Sequence, residues 1–495
     1  MAWLVLWATV FVTPCLAINL LSQPSVFSCD NTSAANLSCS CRTEDSILQV
    51  KCSRRNLTVL PPDLTLPLFT RHLDLSKNSI SSLAGPPFSH LYGLENLILS
   101  WNRLTALPED TLANLTYLRV LDLSHNLLKD LPRTLCQGTS RLQKLDLAYN
   151  GLSSLDPDML EDLPNLDELY LSGNPDLGRF LMDAPDTLSV VFKTGLRYLA
   201  ADNLNLARVP EGFFSEAASL RHLSMADNPL SIVPYLPPSL ESLNFSGCHF
   251  KRLTSGRFVA VPFLQTLVLD RLKYLSEVQA YAFDAFEGLT SLDVLSMERC
   301  ANLRSFHGRA FGEFGPNVCS VRRLSLALCG LRELPQEVFV DLRRLEVLNL
   351  QGNPWHCDCR LAWLRGVNMS GEETRELRCF SPPHLRNKPL MSVNLTHFTC
   401  KEGLAHHEQR RHVVVSLLIV LCLIGGAGVA ALSYRRAQSL VARWWESRRE
   451  TLGPTARGYE LIKIEPNKAE QEDSFVWATA SSSSPPSTSA AAEKT

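Results

Sequence analysis

LENLILSWN (94–102), LRVLDLSHN (118–126), LQKLDLAYN (142–150) and LDELYLSGN (166–174) are four copies of one template, L-x-x-L-x-L-x-x-N, whose last residues stand 24 apart. The L-x-L centre predicts a short strand with its leucines on one side and the intervening residues on the other. The ninth-position Asn is suited to satisfy backbone groups of the turn leaving that strand, in its own coil and the next. A second apolar set, Leu104, Leu107, Pro108, Leu112 and Leu115, closes the coil on its outer side. One coil cannot bury its own leucines, so neighbours must stack. Outward from this block, further copies end at Asn78, Asn228 and Asn353, and degenerate ones at Leu204, Cys248, Leu272, Cys300 and Cys329. About twelve repeats therefore fill residues 70–353. The predicted fold is an α/β solenoid with a parallel β-sheet on its concave face.

Cysteines bracket the array. Cys29, Cys39, Cys41 and Cys52 precede it, and NPWHCDCRLAWL (353–364) with Cys379 and Cys400 follows it. From about Cys29 to Cys400 the chain resembles the leucine-rich-repeat family of extracellular receptors, in which such cysteines form end caps. The resemblance implies a leucine-rich-repeat horseshoe, the pairs Cys29–Cys41, Cys39–Cys52, Cys357–Cys379 and Cys359–Cys400, and Trp363 packed over the last coil. Zinc ligation is the other reading of a C-x-C pair; an oxidising compartment favours disulfides.

Two apolar runs place the chain relative to a membrane. MAWLVLWATVFVTPCLA (1–17) is too short to span about 30 Å of hydrocarbon and ends in small residues, the pattern of a signal peptide. VVVSLLIVLCLIGGAGVAAL (413–432) has 20 uncharged residues, enough for a transmembrane helix of about 30 Å. Arg435, Arg436, Arg443, Arg448 and Arg449 follow it, against Arg410 and Arg411 before it, which orients a single-pass type I protein with its N-terminus outside the cell. Seven Asn-x-Ser/Thr sequons, at Asn31, Asn36, Asn56, Asn114, Asn244, Asn368 and Asn394, all precede the span. The expected organisation is signal peptide 1–17, N-terminal cap 18–69, repeats 70–353, C-terminal cap 354–401, linker 402–412, transmembrane helix 413–433 and a largely disordered cytoplasmic tail 434–495. In that tail Tyr459 and Ile462 resemble an endocytic sorting signal. It is too short for a Toll-type signalling domain.

Ligands of such arrays meet the concave side. The fifth template position places Asp74, Asp122, Asp146 and Tyr170 there, and the eighth places Trp101, His125 and Tyr149. An acidic column beside an aromatic one reads as a protein-binding face; solvated filler is the plain alternative. A glycan on Asn244, also at a fifth position, would block part of that face and push binding toward repeats one to six.

Repeats six and eight to eleven lack the Asn and break the 24-residue spacing. This resembles the irregular region of one branch of Toll-like receptors, where lipid enters between coils; drift in a tolerant solenoid is the other reading. Thirteen ectodomain cysteines leave five outside the caps. Cys248, Cys300 and Cys329 read as small buried substitutes for Asn. Cys136 and Cys319, in connecting segments, are candidates for an intermolecular disulfide, loosely similar to membrane proteins that tether latent TGF-β.

A net charge of −2 argues against nucleic acid as partner. HEQRRH (407–412) has one residue too many between Glu408 and His412 for a zinc-protease helix. Neither a phosphate loop nor a nucleophile elbow is present, so no enzyme, cofactor or metal is expected. The reading is a cell-surface receptor or co-receptor for a protein or lipid-bearing ligand, modulating other membrane receptors and innate-immune in kind. Adhesion or matrix interaction, and covalent tethering of a growth factor, are the alternatives.

Overall fold

The computed structural model describes residues 39–400 apart from 45–46, 61–65, 259–260, 285–288, 290, 313–319, 340–341, 343 and 368–375. Beyond them it describes Arg436, Leu440, Arg443 and the strands Tyr459–Lys463 and Phe475–Thr479. The signal peptide, Cys29, Asn31, Asn36, Cys319, Asn368 and the apolar run 413–432 lie outside the described residues. Among those described, no helix is long and apolar enough to cross a membrane.

One sheet of fourteen strands runs the length of the array. It starts with an antiparallel hairpin in the cap, β1 (Ser40–Glu44) on β2 (Ile47–Lys51), and β2 then pairs in parallel with the first repeat strand, Thr70–Asp74. Each later strand is three residues at template positions three to five, such as Asn96–Ile98, Val120–Asp122, Lys144–Asp146 and Glu168–Tyr170, all paired in register. In these four the middle residue is buried and the outer two are half-exposed. Leu94, Leu97, Leu99, Leu104, Leu112 and Leu115 are all buried, so the two apolar sets of one coil meet in a single continuous core.

The ninth-position Asn stitches its own coil to the one before it. Asn126 Nδ2 donates to Leu99 O of the preceding coil and Leu123 O of its own, each at 3.0 Å, while its Oδ1 accepts from Leu104 N at 3.0 Å. Asn102, Asn150 and Asn228 repeat the pattern. Asn78 extends it into the cap by donating to Cys52 O at 2.9 Å. Where cysteine replaces Asn, the thiol keeps one arm of the ladder: Cys248 donates to Met225 O at 3.4 Å, Cys300 to Leu269 O at 3.3 Å and Cys329 to Met297 O at 2.9 Å, each in the coil before.

The irregular repeats have their own packing. The 30-residue spacing before Leu204 accommodates a helix, Pro175–Asp183, whose Gly178 lies so close to Leu204 that a Cβ would stand 1.9 Å from the Leu204 carbonyl oxygen. In repeats eight to ten the outer segments build a second parallel sheet from Arg252–Leu253, Glu277–Val278 and Ser305–Phe306. Phenylalanines take over the core there, Phe283 lying 6.2 Å from Phe258 and 5.6 Å from Phe311 between ring centres.

At the far end Cys357 is bonded to Cys379 and Cys359 to Cys400. Trp363 packs 4.7 Å from Phe339 and donates its indole N–H to Leu334 O at 3.1 Å, while the fully buried Trp355 donates to Leu350 O at 3.2 Å. At the near end Cys39 is bonded to Cys52, and Cys41 is disulfide-bonded too.

One expectation is corrected. Cys136 is not at the surface: it occupies the outer-segment slot that Leu112 fills one repeat earlier and is fully buried. Burial pushes its thiol up to about 12, so it is unavailable for an intermolecular bond. In the tail the described residues form an antiparallel pair in which Tyr459 stands opposite Thr479. YELIK and FVWAT are rich in residues that suit a pleated surface, and Tyr459 and Ile462 both fall in the first of these strands.

Candidate functional site

The eighth-position residues do not lie on the strands. In every repeat the eighth residue is in the left-handed region, from Lys77 (φ 55°), Trp101 (57°), His125 (53°) and Tyr149 (55°) through Gly173 (76°) to Gly352 (67°). The chain turns sharply there while each N–H still reaches the next coil, as from Trp101 N to Ser124 O at 3.0 Å. A left-handed conformation costs a non-glycine residue roughly 1–2 kcal/mol. It also aims the side chain along the array, over the following turn.

Three successive aromatic residues at this position therefore stack. The Trp101 and His125 rings lie 3.9 Å apart at 16°, and His125 and Tyr149 4.4 Å apart at 8°. Gly173 ends the row, because a Cβ there would stand 2.5 Å from the Tyr149 ring. Such ring pairs contribute about 0.5–1.5 kcal/mol each, which offsets the backbone cost. Trp101 is 54% exposed and Tyr149 51%, so the row presents its ring edges to solvent along one rim of the sheet. Burial lowers the His125 pKa against the raising effect of nearby Asp122.

On the strand face beside this rim the fifth-position carboxylates serve two purposes. Asp74 Oδ1 accepts from Ser76 N, Asp122 Oδ1 from Ser124 N and Asp146 Oδ1 from Ala148 N, at 2.9–3.0 Å. Each thus closes the turn that follows its own strand, a structural role the sequence reading did not assign. The second oxygen of each is left to the surface. Asp122 and Asp146 are register partners on adjacent strands; burial, and after it the charge of Asp122, push Asp146 up to about 6.

Sequence reasoning missed the neighbours of Tyr170. Its hydroxyl donates to Glu168 Oε2 at 3.0 Å, Lys144 Nζ lies 3.2 Å from the same oxygen and 4.3 Å above the Tyr170 ring, and Tyr198 stacks on Tyr170 at 4.9 Å. His222 continues the row 5.9 Å from Tyr198. Tyr198 and His222 stand at the third position, where the half-exposed flanks of the L-x-L strand are the signal that marks them. Asn244 lies farther along the face, its Nδ2 donating to Ser224 Oγ at 3.1 Å and its Oδ1 accepting from Ser246 Oγ at 2.7 Å. Asn56, Asn114 and Asn394 are exposed.

The leucine rich repeat family matches residues 70–128 and 116–175. Trophoblast glycoprotein of Macaca fascicularis is 26% identical over 316 residues, 53% of this chain and 67% of that protein. Leucine-rich repeat transmembrane protein FLRT2 of Rattus norvegicus is 24% identical over 243 residues, 43% of this chain, and the match spans only 35% of FLRT2. Among solved structures, an octameric complex of Latrophilin 3, Unc5D and the FLRT2 repeats aligns with a TM-score of 0.48 at 21% identity, covering 73% of this chain and 98% of that one. With its repeat signature, its ninth-position ladder and its disulfide caps, the chain carries a leucine-rich-repeat domain that resembles the ectodomains of extracellular receptor-like proteins.

Proposed function

We propose that this is a single-pass cell-surface receptor or co-receptor whose array binds a protein partner over the strand face and rim of repeats two to seven. The observation that carries the reading is the Trp101–His125–Tyr149 row, half-exposed beside the Asp122–Asp146 pair. Exposed rings held in fixed register lose little side-chain entropy when covered, and desolvated aromatics dominate interface energetics. A protein surface is favoured over a lipid chain because the rings stack on one another along a rim and do not line a cavity. The membrane span at 413–433 and outward N-terminus are part of the proposal, and the relatives include a glycoprotein and a transmembrane protein by name. Adhesion through the same face is the second reading. The tethering of a growth factor through Cys136 is dropped, since that thiol is buried.

Secreted residues 18–405, screened against an array of cell-surface and secreted proteins, test the proposal. Partners found with the native protein should bind Trp101→Ala/Tyr149→Ala at least about tenfold more weakly, the loss expected for two hot-spot side chains. Undiminished binding by a variant that is secreted normally would remove this face from consideration.

A further inference from the structure

A second surface, remote from the strand face, carries charge of the opposite sign. From Leu377 to Cys400 the C-terminal cap contains Arg378, Arg386, Lys388, His384 and His397 and no Asp or Glu, in a chain whose net charge is −2. The fold draws these residues together. Arg378 bridges antiparallel to Pro389 and donates from Nη1 to Asn387 O at 3.1 Å. Asn387 N and Lys388 O both bond to the backbone of Cys379, at 2.7 and 3.0 Å. The Arg386 guanidinium lies 4.9 Å above the half-exposed Phe380 ring, and the His384 and His397 rings are 6.2 Å apart. All five basic side chains are exposed.

Several exposed arginines of the array are answered from within the fold: Arg71 by Glu95 at 2.8 Å, Arg197 by Asp167 at 3.7 Å and Arg322 by Asp293 at 3.4 Å. Among the described residues no carboxylate comes within ion-pairing distance of Arg378, Arg386 or Lys388. We propose that this face of the cap binds a sulfated glycosaminoglycan chain. Guanidinium groups match sulfate oxygens in a two-pronged geometry, and a linear polyanion gains further by releasing its counterions along a row of cations. An anionic membrane is the competing source of the same chemistry. The preference for glycan over lipid rests on the outward placement proposed above, because the strongly negative leaflet is the cytoplasmic one; the cluster itself does not depend on that reading or on the strand face.

The test uses the full chain in neutral detergent, with immobilised heparin as probe and vesicles containing phosphatidylserine in parallel. The native protein should be retained on heparin at about 0.15 M salt, and Arg378→Glu/Arg386→Glu/Lys388→Glu should bind roughly tenfold or more weakly. A control with the same charge change on exposed arginines of the array, Arg103→Glu/Arg208→Glu/Arg304→Glu, should keep its retention. Delivery to the cell surface and unchanged non-reducing gel mobility show that the cap is intact; Arg378→Gln/Arg386→Gln/Lys388→Gln serves if the reversal does not pass that check. Equal loss in cap and control variants, no loss in either, or capture by vesicles in preference to heparin would each overturn the proposal.

Discussion

Replacing Asn126 by alanine isolates what the ladder contributes. Asn126 is buried and makes bonds in two directions. The carbonyls it serves are shared: Leu99 O also accepts from Asn102 Nδ2 at 3.0 Å, Leu123 O from Asn150 Nδ2 at 3.1 Å, and Ser124 O from Trp101 N at 3.0 Å. The Leu104 N–H, 3.0 Å from Asn126 Oδ1, has no other partner among the described residues. The variant therefore strands one buried donor, at about 1–3 kcal/mol, and removes two N–H groups from three shared acceptors, at about 0.5 kcal/mol per N–H. A loss of about 2–4 kcal/mol is expected, centred on repeats two and three, since each coil touches only its neighbours. Asn126→Cys restores a donor toward Leu99 O, as Cys300 supplies to Leu269 O, and should lose about 1 kcal/mol less. The assay is urea unfolding of the oxidised 18–405 segment, with hydrogen exchange at the Leu104 amide as local readout. The exposed Lys129→Ala is the control, expected within about 0.5 kcal/mol of native. If Asn126→Ala matches that control, or Leu104 exchange is unchanged, the ladder is decoration and the reasoning fails.

Asp146 makes stability depend on pH. Its pKa rises on folding from 3.8 to about 6, so the folded state favours the proton. Stability present below about 4 is lost as pH climbs toward 6. Asp146→Asn keeps the bond from Ala148 N and removes this dependence. It should melt higher than native at pH 7 and not at pH 4, and an equal gain at both would contradict the assignment. Cys136, pushed up to about 12 inside the core, should resist iodoacetamide at pH 8 in the folded protein and react once urea opens the array; mass spectrometry of the 131–141 peptide reads this, and native-state labelling at the rate of an exposed thiol would refute its burial.

Much of the architecture was legible because the repeat states its own boundary condition. Leucines at positions one, four and six have nowhere dry to go except another coil, so the spacing of 24 in the early repeats already implied a parallel stack. The Asn at position nine declared itself through its invariance across repeats one to five. The site was less legible. Trp101, His125 and Tyr149 were read as one column of strand residues; they stack in the turns beyond the strands. The backbone conformation that makes them a stack depends on where each N–H finds its acceptor in the next coil, and no single repeat contains that information. Cys136 was misplaced for a related reason: whether an outer-segment residue faces in or out shows only against the equivalent Leu112.

The chain alone thus determined the repeat, the parallel order of its strands and the residue types offered on each row, since those follow from local periodicity and from leucines needing cover. Tertiary structure decided which atoms of those rows remain unspent. One oxygen each of Asp74, Asp122 and Asp146 closes a turn, Gly173 halts the rings, and Arg378, Arg386 and Lys388 converge from separate turns of the cap. The carboxylate turns span two residues, whereas the ring row joins segments 24 residues apart in the array and the cap cluster forms across its chain reversal. Their energies appear only once the coils are laid side by side.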